Sequence, residues 1–199
     1  MNPATTSAPF RNWRKQPDNA TYPMSKEDGK TVKAIKRLMF GVHSMKLVIS
    51  SCRYYENLKD ANLDLLTILS AGIATVYASP FTSSQGLGPL DKRYQEFPDK
   101  ENKQAHDDLM GARHEGYAHR DLTGEHATMH QIQVVVCADG SIDLRTQLSA
   151  YSNDVIPHII NLCVFQDERF TKDAHALLLG LQAKLKKPVG TYILGENYP

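Results

Sequence analysis

Five of the chain's eight histidines, His106, His114, His119, His126 and His130, fall within 25 residues, and Arg113 and Arg120 stand among them. Histidine exchanges a proton near neutral pH, whereas arginine keeps a permanent planar charge. A segment crowded with both has the groups for proton transfer beside a fixed cation. The plainer reading of the same residues is a solvated helix end running into a polar loop, since Asp107, Asp108, Glu115, Asp121 and Glu125 lie in it too.

Three sharper readings rest on short patterns. His119-Arg120-Asp121-Leu122 copies the opening of a protein-kinase catalytic loop. However, His126 stands where that loop needs Asn, and no Asp-Phe-Gly or upstream glycine-rich loop exists. Coincidence accounts for it. His106-Asp107 with His43 upstream could form part of a helical metal phosphohydrolase, which requires His and carboxylate ligands converging from several helices. His126 and His130, four apart, could share a helical zinc site. The usual glutamate after the first histidine is replaced by Ala127.

The fourth reading uses Arg113-His114-Glu-Gly-Tyr117-Ala-His119. An arginine, a polar residue directly after it, and a histidine with five residues between resembles the motif of the HEPN superfamily. Tyr117-Ala118-His119-Arg120-Asp121 resembles the Ala-His-x-Asp ending of its abortive-infection-type branches. The likeness spans roughly residues 26–187, although its specific part is seven to nine residues.

The resemblance implies a homodimer and, in many members, a ribonuclease that needs neither metal nor cofactor. On that reading Arg113 clamps the scissile phosphate and His119 is the general base or acid. His114, Tyr117 and Asp121 support them. The chemistry is coherent: cleavage through the RNA 2′-hydroxyl needs a base of near-neutral pKa, and the charge developing on phosphorus needs a cation. Six positions of regular helix turn about 600° and rise roughly 9 Å, so one unbroken helix cannot bring Arg113 and His119 together. Either the helix opens near Gly116, or two copies assemble a composite site across a two-fold axis. The other outcomes are a non-catalytic HEPN-like dimerisation or nucleotide-binding module, or an Arg113 that merely pairs with Asp108 or Glu115.

The elements that must position these residues follow from periodicity. Residues 1–24, with four prolines and net basic charge, read as a weakly ordered arm. Ser25 and Asp28 resemble a capping box. From there Val32, Ile35, Met39 and Val42 predict a helix to about Tyr55, interrupted in composition by Gly41. A second helix is expected over 60–77, followed by a loop at 83–89. Its Gly86-Leu-Gly88 lacks the remaining features of a phosphate cradle. A third helix starts at Asp99 and runs to Gly116 or His119. Asp139-Gly140 between β-branched runs predicts a hairpin over 131–147. Residues 153–187 are helical again, as one helix or as two with a break near 166–171. Residues 188–199 form a tail. The expected fold is mainly α: a four-helix up-and-down bundle with a β-hairpin inserted between helices 3 and 4, spanning 25–187.

With 199 residues, 41% hydrophobic and 23% charged, the chain is globular in composition and excludes wholesale disorder. Its cysteines, Cys52, Cys137 and Cys163, are odd in number and form no CxxC, which suits a reducing cytoplasm. The apolar stretch 63–77 reads as too short, and too polar at Asp64, Thr67 and Ser70, to span a bilayer. No membrane association is therefore expected. Residues 1–37 carry eight basic and three acidic side chains, leaving the remainder net acidic. Such a body is no general polyanion binder. The partners expected are a second copy, an RNA substrate and, by family analogy with toxin–antitoxin and defence systems, a cognate antitoxin.

Overall fold

The structure, a computed structural model, describes residues 25–58, 62–83, 87–114, 132–136, 141–146 and 150–185. These residues are mainly helical. Four α-helices, α1 (Lys26–Glu56), α2 (Leu63–Ala78), α3 (Lys100–Gly111) and α4 (Ile156–Leu185), carry the core. Short 3-10 turns at Ser79–Phe81 and Lys92–Gln95 join α2 to α3. Two five-residue strands, β1 (Ile132–Val136) and β2 (Ile142–Thr146), pair antiparallel with Val134 opposite Leu144.

The starts of α1, α2 and α3 each have a side-chain cap that removes an orphan backbone donor. Ser25 Oγ accepts from the Asp28 amide at 3.1 Å and its hydroxyl donates to the Asp28 carboxylate, so the N-cap half of the expected capping box forms while the carboxylate binds the hydroxyl and not the Ser25 amide. Asn62 accepts from the Leu65 amide at 2.9 Å, so α2 begins at Leu63, three residues later than the expected start at 60. Asp99 accepts from the Asn102 amide at 2.7 Å. α4 is one uninterrupted helix of 30 residues, with no break at 166–171. Its continuity is explained by burial: Gln166 and Phe170 face inward there, with Phe170 against Phe81 and Tyr94 at ring distances of 6.2 and 5.3 Å.

α1 and α4 run antiparallel along each other. Val32 and Ile35 near the start of α1 pack on Leu181 near the end of α4. At the opposite end, Tyr55 Oη donates to the Tyr151 carbonyl just before α4. Between them Gly41 permits close approach: a β-carbon there would lie 2.8 Å from Phe170 Cδ2. The glycine that interrupts α1 in composition is therefore a packing residue. Met45, Val48 and Cys52 of α1, Ile73, Ala74 and Tyr77 of α2, Leu109 of α3 and Ile159, Leu162 and Cys163 of α4 form one contiguous core.

The helical run Leu63–Phe81 extends 19 residues, four beyond the 63–77 segment read from the sequence. By length and composition it is long enough to cross a membrane, yet Ser70, Ile73, Ala74 and Tyr77 on one side are buried in protein. In the following loop, Gly88 adopts φ +71° and lies against the Arg37 guanidinium, which donates to the Leu87 carbonyl. That contact seats the loop on α1.

Candidate functional site

The third helix, expected to reach 116 or 119, is regular as far as Gly111; residues 115–119 lie outside the described residues. The Ala112 amide reaches both the Asp108 and Leu109 carbonyls, and residues 112–114 widen into a π-helical turn. Such turns are rare and concentrate at functional sites. Arg113 and His114 occupy this one. Ala112 is buried and anchors the turn, Arg113 is half-buried, and His114 is exposed.

Arg113 Nη1 lies 3.0 Å from His114 Nδ1. A guanidinium can only donate, so the imidazole nitrogen accepts, and His114 is held as the tautomer bearing its proton on Nε2. The pair thus sets a permanent cation directly beside an imidazole whose proton sits on Nε2. Asp108 accepts instead from Gln104 Nε2 at 2.8 Å and forms no ion pair with Arg113. The ordinary role of tying Arg113 to Asp108 is therefore absent among the described residues. His119, Tyr117 and Asp121, together with Glu115, Gly116, Arg120, His126 and His130, lie outside the described residues.

Upstream of the pair, an open cavity of about 400 Å³ runs along α3 beside Gln104, Ala105, Asp108 and Leu109 and is lined on its other side by Tyr151 and Ile159 near the start of α4. Leu109 sits one helical turn before Arg113, so the cavity ends close to the site along the helix.

His106 does not join this site. It is buried, with Nδ1 2.7 Å from Tyr77 Oη and the rings of Phe97 and Phe81 at 5.0 and 5.2 Å. Burial drives its pKa down to about 4, against a smaller opposing pull from Asp107. Neighbouring Asp107 points outward and pairs with Lys103. His43 is exposed on α1. Neither these three nor any other three His, Cys, Asp or Glu among the described residues form a group that could hold a metal ion. Among the described residues, the convergence required by the metal phosphohydrolase reading is not met.

The partner that makes His106 a core residue, Tyr77, is missed by the sequence reading. The available signal was Leu109 three positions on, which places His106 on the buried stripe of α3. A second unforeseen cluster braces the connection into α3. Tyr94 Oη donates to Asp173 at 2.7 Å and accepts from Arg93 at 2.7 Å, while Arg169 donates to the Arg93 and Glu96 carbonyls. No family model, curated protein or solved structure matches the chain.

Proposed function

We propose that the protein is a metal-independent endoribonuclease of HEPN type, cytoplasmic and homodimeric, cleaving RNA through the 2′-hydroxyl. The observation that carries this reading is the Arg113–His114 pair in the π-helical turn that closes α3. It joins a permanent phosphate-binding cation to an imidazole of defined tautomer. The proposed division of labour gives Arg113 the phosphate and His119 the proton transfer, with His114, Tyr117 and Asp121 in support. A two-fold related copy would supply the second half of the site. The architecture that accompanies this reading is an up-and-down four-helix bundle with the hairpin inserted between α3 and α4. A role in defence or toxin–antitoxin biology, with a cognate antitoxin, belongs to the same proposal.

A non-catalytic HEPN-like module is the second reading. It is favoured by the exposed carboxylates of Asp107 and Asp108 one to two turns before Arg113, which oppose the approach of an RNA backbone.

Both readings are tested by incubating purified protein with single-stranded RNA in EDTA, beside Arg113→Ala and His119→Ala. The nuclease reading expects cleavage by the wild type, with 2′,3′-cyclic phosphate ends, and its loss in both variants. Equal products from all three folded proteins would remove the assignment.

A further inference from the structure

From Lys30 to Arg53, 24 consecutive residues of α1 include six Lys or Arg and no Asp or Glu. The rest of the chain holds 17 basic and 22 acidic residues, so this stretch carries the whole positive excess. Arg37 is spent on the Leu87 carbonyl. Lys30, Lys33, Lys46 and Arg53 are exposed and join no ion pair among the described residues.

The inward face of α1 is committed to the core through Leu38, Val42, Met45, Val48 and Cys52. Directly opposite, Phe40, Leu47 and Tyr54 recur every seven residues and are 39%, 45% and 58% exposed. Residues seven apart drift by only about 20°, so the three form a line along the helix. At about 100° per residue, Lys46 and Arg53 flank that line on one side and Lys30 and Lys33 on the other.

Three partners could cover such a face, and its details separate them. A second helix packing knobs into holes needs large apolar residues at alternating three- and four-residue steps. The intervening positions here are His43 and Ser50. A lipid surface needs a broad, continuous apolar face to submerge, whereas the exposed apolar side chains Met39, Phe40, Leu47 and Tyr54 are interrupted by His43 and Ser50. Single-stranded nucleic acid needs spaced cations for phosphates and aromatic faces for bases, and tolerates polar residues between them.

We infer that the outward face of α1 is a track for single-stranded RNA, with Lys30, Lys33, Lys46 and Arg53 meeting phosphates and Phe40 and Tyr54 stacking bases. This inference rests on the RNA-directed reading proposed above, whose Arg113 site it would feed.

The test is fluorescence anisotropy with a labelled 2′-O-methyl RNA strand, which has no free 2′-hydroxyl and cannot be cleaved through it. The triple variant Lys33→Gln, Lys46→Gln, Arg53→Gln should reduce the slope of log affinity against log salt by about 2. Phe40→Ala with Tyr54→Ala should weaken binding about tenfold or more while leaving that slope unchanged. Circular dichroism checks that the variants remain folded. Wild-type affinity and slope in both variants overturn the track. Binding to phosphatidylserine vesicles that is lost in the same variants, with no binding to the strand, overturns it in favour of a lipid surface. Cleavage of unmodified RNA is measured in parallel with Arg113→Ala. Binding that follows the α1 substitutions without any cleavage removes the nuclease and leaves the track. Arg113-dependent cleavage with unchanged binding in both α1 variants does the reverse.

Discussion

Tyr77 Oη and His106 Nδ1 share a hydrogen bond of 2.7 Å beneath the rings of Phe81 and Phe97, joining α2 to α3 inside the core. The bond ties the helix that ends in the Arg113 turn to the body of the protein. Because burial holds His106 neutral with a pKa near 4, against about 6.5 in an unfolded chain, the unfolded state binds more protons between those values. The contribution of His106 to stability is complete above pH 6.5 and is lost progressively as pH falls towards 4. Urea unfolding at a series of pH values should show this loss, and His106→Gln should flatten the profile across that window. An unchanged profile would contradict the burial.

Tyr77→Phe deletes only the hydroxyl and leaves a buried imidazole nitrogen without its partner. Such orphaned groups cost about 1–3 kcal/mol. The midpoint of urea unfolding at pH 7 should fall correspondingly while helix content by circular dichroism stays the same.

Gly41→Ala would ordinarily favour a helix by up to about 1 kcal/mol. Here the added carbon meets the Phe170 ring at 2.8 Å in a packed core, and overpacking of that kind costs about 1–3 kcal/mol. Net destabilisation is expected, and Phe170→Leu in the same chain should recover part of it. A double-mutant cycle with no coupling would refute the close approach of α1 and α4.

Cys52 and Cys163 are buried among apolar side chains, and burial pushes the Cys52 thiol up to about 12. The thiolate is the reactive form, so neither should react with Ellman's reagent in the native protein at pH 8. Both should react at once in denaturant, with Cys137→Ser used so that only these two thiols are counted.

Arg113→Lys keeps the charge and removes the planar fork, along with the paired geometry to His114. If the guanidinium stabilises the phosphorane, kcat should fall about a hundredfold, with the fold intact by thermal unfolding. Activity close to that of the wild type would show that a point charge suffices.

Local chemistry made much of this protein readable from its residues alone. Ser25 and Asp99 announce their helices because a cap is satisfied within three residues, and the apolar 3–4 spacing of α1 and α4 reports helices whatever they pack against. Arg113 and His114 were equally legible, being adjacent. Contacts distant along the chain could not be read that way. Tyr77 and His106 are 29 positions apart, and Gly41 and Phe170 are 129, so only the packing of α1, α2, α3 and α4 decided that one histidine of the cluster is a core residue and that a helix-breaking glycine is a packing surface. The same packing decided which side of α1 faces outward, and with it that Phe40, Leu47 and Tyr54 lie in an exposed row between lysines. Spacing says which residues share a face, but only tertiary burial says which face remains in water.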